Sequence, residues 1–296
     1  MERARLNLRY IKYSNGMTKR SVLSVHSAPE VHWVGDGFPV KSIISPRLGR
    51  DISPFLLLDH AGPATFEPSE TPRGVDVHPH KGFETVTIVF SGEVEHRDSA
   101  GNSGTIGEGD VQWMTAGSGI LHEEKHSVEF TKQGGVFHLA QLWVNLPAAN
   151  KLDEPGYQTI LRSDIPTVDL GGGSARVIAG ELGGISGPAR TRTPMNVWDV
   201  ELHGSVELQL SPRHNAMVIV LAGSASIGDH SLNTDELAIL NRDGDVIAMS
   251  GEGKVIVLSG EPINEPIAAH GSFVMNTPEE IRETIADYQA GKFGSL

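Results

Sequence analysis

No cysteine occurs anywhere in the 296 residues. That absence removes disulfides, thiolate metal sites and cysteine nucleophiles together. Any metal must therefore be held by nitrogen and oxygen. No apolar run approaches the ~18 residues that a membrane-spanning helix requires. The first twenty residues lack the continuous apolar stretch of a secretory signal. Positive charge is also scarce: 24 Lys and Arg against 37 Asp and Glu give a formal net charge of −13, which sets the bulk surface against phosphate backbones and so against nucleic acid. Residues 1–20 run the other way, with Arg3, Arg5, Arg9, Lys12, Lys19 and Arg20 against Glu2. They read as a solvated tail or an over-long start, with Met17 as the alternative beginning. The expectation is a soluble cytoplasmic protein with no membrane partner.

What is present is enough for a sizeable core, with 39% hydrophobic and 21% charged residues. The length is about twice the ~150-residue prior for one domain. Most of the chain reads as short strands. Glu84–Phe90 is rich in β-branched residues and stops at the Ser91-Gly92 turn; Val111–Met114, Gln141–Asn145 and Val197–Val200 have similar character. Gly, Asp and Asn clusters at 98–104, 107–110 and 171–173 punctuate them. Such spacing predicts an all-β sandwich or barrel. One helix is expected at about 278–290: Thr277 caps it, Pro278 opens it, Glu280 completes a capping box, and Ile281, Ile285 and Tyr288 mark one face before Gly291.

The two halves echo each other. Val86–Gly92 resembles Val218–Gly223, and Gly107–Met114 resembles Asn233–Leu240. A period of roughly 130 residues is too long for a solenoid unit and suits two copies of a small β domain. The expected division is 21–150 and 151–296, with the linker near Ala148–Pro155 or in 171–173.

The chemistry concentrates in the first half. Alternate strand residues share a face, so His78 and His80 aim together while Pro79 points away. The same argument pairs His122 with Glu124, turns Glu123 outward, and leaves Gly117 and Gly119 to form the turn before them. Three imidazoles and a carboxylate suit Fe(II), Mn, Co, Ni or Cu better than a closed structural zinc site. Glu84 and His126 compete as ligands, and Glu84 could instead orient an imidazole. In the second half a shift by the repeat length puts Gln209 and Ser211 where His78 and His80 stand, and falls near Gly253 and Val255 for His122 and Glu124. No metal is expected there.

His78–Val86, Gly109–His122 and Gln141–Leu146 resemble the pirin family of the cupin superfamily; Thr191–Pro194 and Gly271–Thr277 resemble its second half. The likeness runs from roughly Ser21 to the end of the chain. It implies two cupin barrels (double-stranded β-helix, or jelly-roll) packed face to face, with one mononuclear metal, usually iron, in the first barrel; Fe(II) is favoured, and Mn, Co, Ni, Cu or Zn are alternatives. Its ligands fall on His78, His80, His122 and Glu124, which argues against Glu84 as a ligand. The resemblance further implies a quercetin 2,3-dioxygenase in which a flavonol binds the metal through an oxygen, Glu124 takes the 3-hydroxyl proton as catalytic base, and ring opening with O2 releases carbon monoxide. Phe83, Trp113, Met114 and Leu121 are candidate pocket walls, and His126 could line the same pocket. The alternative implied function is a non-enzymatic, iron-binding redox sensor that contacts a transcription factor or a metabolic enzyme.

Overall fold

In a computed structural model, residues 16–296 of the chain are described. They divide into two compact units. One comprises Ser27–Asp164, Ala189–Thr193 and Glu261–Leu296; the other comprises residues 16–26, Ile165–Pro188 and Pro194–Gly260. Most of residues 1–20, whose role as a tail was expected, lie outside the described part. Among the described residues no helix is long and apolar enough to cross a membrane.

The first twelve strands are β1 (Val22–Ser27), β2 (His32–Val34), β3 (Phe38–Ile44), β4 (Phe55–Phe66), β5 (Gly74–His80), β6 (Phe83–Ser91), β7 (Val94–Asp98), β8 (Ser103–Ile106), β9 (Val111–Thr115), β10 (Ile120–His126), β11 (Gly135–Asn145) and β12 (Gly156–Ile160). In the first unit they form a seven-stranded sheet, β12-β9-β6-β11-β4-β3-β2, and a four-stranded sheet, β5-β10-β7-β8. Phe38, Val40, Ala61, Phe66, Val89, Phe137 and Leu139 from the larger sheet pack with Val94 and Ile106 from the smaller. This apolar layer fills one end of the space between the sheets. The inward positions further along β6, β9, β10 and β11 are polar: Thr87, Gln112, Glu124 and Gln141 are joined by hydrogen bonds. An all-β jelly-roll of this form is what the strand spacing and the family resemblance predict.

The other unit is built on an eight-stranded sheet, with a small two-stranded pairing of Glu181–Leu182 and Ile185–Ser186 beside it. Its path is β1, Glu236–Leu240, Asn215–Ile227, Val246–Gly260, Met195–Gln209, Gly173–Ala179 and Thr167–Asp169, with His230–Asn233 paired to Asn215–Ile227. Asn215–Ile227 takes the place of β6, and Glu236–Leu240 that of β9, so the sequence echo is an echo of topology. Trp198, Val200, Leu208, Val218, Val255 and Val257 belong to its core.

The units are not the simple halves 21–150 and 151–296. β1 joins the sheet of the later unit, whereas β12 and the segment after Gly260 join the earlier one. Hydrogen bonding accounts for the exchange: an uncovered edge leaves main-chain groups unpaired, and β12 covers β9 from Gly156 opposite Thr115 to Ile160 opposite Val111. The final segment is anchored beside the turn that follows β5. The Lys81 amide donates to the Ser272 carbonyl and the Val274 amide to the Lys81 carbonyl, at 3.3 and 3.0 Å. Gly82 makes this approach possible, since its φ is +85° and a Cβ there would stand 2.0 Å from the Val274 oxygen. The helix Pro278–Gln289 follows with the expected capping box on Thr277 and Glu280. Ile281 and Ile285 pack with Phe273, Met275 and Phe293.

Candidate metal centre

Strand β10 positions the site because it is paired on both edges. On one side His122 stands opposite His78 and Ile120 opposite His80 on β5. On the other side His122 stands opposite Asp98 and Glu124 opposite His96 on β7. Directly opposed residues in antiparallel strands bring their Cβ atoms to about 5 Å. The register therefore creates two overlapping clusters, His78–His80–His122 and His96–His122–Glu124, each with one ligand atom per residue within 4.8 Å of the others.

Hydrogen bonding distinguishes the two clusters. Around Glu124 the polar groups are matched: Oε1 accepts from Thr87 Oγ1 at 3.2 Å and Gln112 Nε2 at 3.1 Å, and Oε2 accepts from Gln141 Nε2 at 2.6 Å. His96 Nε2 donates to Asp98 Oδ2 at 3.0 Å. In the three-histidine cluster, by contrast, His80 Nδ1 and His122 Nε2 are buried without a hydrogen-bond partner. His78 donates from Nδ1 to the Asp76 carbonyl at 2.7 Å, which leaves its Nε2 lone pair available. A buried polar atom without a partner is costly, and a cation between these three rings would relieve that cost. The donor set fits a divalent transition metal.

The electrostatics agree with that fit. Burial first, then the neighbouring imidazoles, push His80 and His122 well below the usual histidine range, so both rings are neutral, as ligation requires. Burial opposes ionisation of Asp98, yet hydrogen bonds from His96 and Asn102 hold its carboxyl below the usual range.

The four expected ligands are brought to one end of the barrel, but Glu124 groups with His122 and His96 rather than with all three of the histidines expected to bind the metal. Its amide donors keep it there. Of the expected pocket residues, Phe83 is at the site, with its ring 5.1 Å from that of His80 and 4.4 Å from that of Trp143. Met114 shares the Gln112 face of β9 and packs with Ala116, Ile120 and Tyr157.

The remaining candidates are elsewhere. Trp113 alternates with Gln112 and faces the opposite side of β9. Leu121, next to His122, packs against the Phe273 and Phe293 cluster by the final helix. His126 shares the Glu124 face but sits further along β10 among Phe38, Phe66, Phe130 and Phe137, donating to the Gly37 carbonyl at 3.0 Å. Glu84 lies on the outward face of β6, where Thr115 Oγ1 donates to it at 2.7 Å, so it orients no imidazole of the cluster. Burial raises its pKa despite that hydrogen bond.

Several site residues carry no assigned role in the sequence reading: His96, Asp98, Thr87, Gln112, Gln141 and Trp143. The alternation His96-x-Asp98 before a turn is their one local signal. Trp143, 5.4 Å from His80 ring to ring, also lines an apolar cavity of about 380 Å³ with Ile52, Phe55, Leu57, Ile263 and Ile267.

Two antiparallel β-units with related topology, one carrying a buried histidine cluster, define a two-barrel cupin. The Pirin family model matches residues 38–144 and the Pirin C-terminal cupin domain matches 197–294. A Pseudomonas aeruginosa protein named as a candidate quercetin 2,3-dioxygenase is 51% identical, covering 93% of this chain and 98% of that protein. Human Pirin is 36% identical, covering 94% of this chain and 95% of that protein. The crystal structure of a quercetin 2,3-dioxygenase from Acinetobacter baumannii has 48% identity and a TM-score of 0.91, covering 94% of this chain and 99% of that one. The chain belongs to the pirin family.

Proposed function

We propose that this protein is a metal-dependent dioxygenase that opens the ring of a flavonol such as quercetin with O2. The observation that carries the proposal is the pair of buried, unpartnered nitrogens, His80 Nδ1 and His122 Nε2, beside a carboxylate held by neutral amides. The relatives named for quercetin dioxygenation support the same reading. His78, His80 and His122 hold the metal, with Glu124 as the fourth ligand and the catalytic base; Fe(II) is the first choice and Mn, Co, Ni, Cu or Zn are alternatives. Bound there, such an ion would supply Lewis-acid chemistry and, for every candidate except redox-inert zinc, the one-electron chemistry that lets a closed-shell flavonol react with dioxygen.

The protein's own groups do the rest. Glu124 takes the proton of the flavonol 3-hydroxyl. Gln112, Gln141 and Thr87 keep that carboxylate aimed. Phe83 and Trp143 form an aromatic wall suited to a flat substrate, and the cavity beyond Trp143 provides apolar volume. Anaerobic and aerobic incubation of iron-loaded protein with quercetin tests the reading. Oxygen-dependent loss of the flavonol absorbance with release of carbon monoxide is expected. Bound metal without any such loss contradicts the enzyme reading and favours the redox-sensing regulator.

A further inference from the structure

The Glu124 carboxylate dictates which way its neighbours point. It can only accept, so the side chain of Gln112 turns its NH2 group toward it at 3.1 Å. The amide oxygen then faces Tyr157, whose hydroxyl donates at 2.9 Å. That same NH2 group lies 3.4 Å from His96 Nδ1, so Nδ1 of His96 is an acceptor. Asp98 gives the same answer from the other side of the ring. As a carboxylate it accepts a hydrogen bond from Nε2 at 3.0 Å, while its oxygens also accept from Ala100 and Asn102. Tyr157 stacks on the His96 ring, centroids 4.7 Å apart at 25°, and keeps its plane.

The lone pair of an accepting His96 Nδ1, shared with the Gln112 amide, favours a donor over a second lone pair on His122 Nδ1, 3.4 Å away. With its proton on Nδ1, His122 carries its lone pair on Nε2. That Nε2 is the buried atom without a partner. We propose that Asp98 and His96 are positioning residues that hold His122 in its Nε2-ligating tautomer and thereby set the affinity of the histidine cluster for a divalent metal. The inference rests on the reading that His78, His80 and His122 bind the metal. Ligand histidines usually donate their other N–H directly to a carboxylate or carbonyl; here a second imidazole stands between.

Histidine-selective ¹⁵N labelling of the metal-free protein reads the tautomers directly through long-range ¹H–¹⁵N correlations. The wild type is expected to show His122 protonated on Nδ1 and His96 on Nε2. Asp98→Asn keeps an oxygen for the turn amides but can present an NH2 group to His96 Nε2, which drives both tautomers to reverse. Its affinity for Co(II), measured by chelator competition, is expected to fall by about 10- to 100-fold with an unchanged far-UV spectrum. His96→Leu, which removes the acceptor without touching the turn, should weaken Co(II) binding similarly, whereas His96→Gln, with a carbonyl in its place, should restore part of it. No Co(II) binding by the wild type overturns the metal reading and the proposal with it. Wild-type binding that is lost in His122→Ala but unmoved in Asp98→Asn and His96→Leu, or a wild-type His122 protonated on Nε2, overturns the positioning role alone.

Discussion

Lys151 buries its ammonium against the main-chain carbonyl of Val274, 2.8 Å away. Its other two donors reach the Gly82 carbonyl and Asn145 Oδ1, also at 2.8 Å. One side chain thus joins the end of β11, the turn after β5, and the closing segment of the chain. Replacing it leaves three buried acceptors short of a donor. Lys151→Met is expected to increase hydrogen exchange at the Val274 and Lys81 amides while exchange in β6 stays unchanged. Unaltered protection at Val274 would show that the ammonium does not pin this segment.

The same group carries a pH signature. Burial pushes the Lys151 ammonium down from 10.5 to about 8. Between about pH 8 and 10.5 the unfolded chain therefore binds more protons at this site than the folded one, and stability rises with pH in that window. The contribution amounts to about 3 kcal/mol across the window. It is measured as the stability difference between wild type and Lys151→Met, which should move in favour of the wild type as pH rises. A difference that is flat with pH would exclude a depressed lysine.

Glu124→Gln keeps the shape but removes the proton acceptor. The oxygen-dependent loss of quercetin absorbance should fall by about 10²- to 10⁴-fold while the thermal midpoint changes little. Activity equal to wild type would remove Glu124 from the chemistry.

Leu121 and Trp143 separate packing from pocket. Leu121→Ala loosens the contact with the final helix and should cost about 2 kcal/mol, with metal content unchanged. Trp143→Ala alters the wall beside His80 and should raise KM for quercetin more than it lowers stability. The opposite pattern, a KM effect at Leu121 and none at Trp143, would reverse the assignment of the wall.

The histidine cluster is legible in the sequence because period-2 alternation is local: His78 with His80, and His122 with Glu124, share a face whatever the rest of the chain does. The capped helix after Thr277 is legible for the same reason. Faces are harder to assign where a strand is buried on both sides. β6 is buried from Phe83 to Phe90 and β9 from Val111 to Thr115, so their composition carries no sign of which residues look inward, and Glu84 and Trp113 are easily placed at the site by mistake. His96 and Asp98 reach the site only through the register of β7 against β10, a non-local pairing that no spacing announces. The exchange of β1 and the closing segment between units is non-local in the same way.

The central claim is that β5 and β10 bring His78, His80 and His122 to one metal. Elemental analysis of purified wild type beside His122→Ala tests it most directly. About one equivalent of a first-row transition metal in the wild type, and almost none in a variant with an unchanged far-UV spectrum, is the predicted result. Metal content equal in the two proteins, or absent from both after loading, would contradict it.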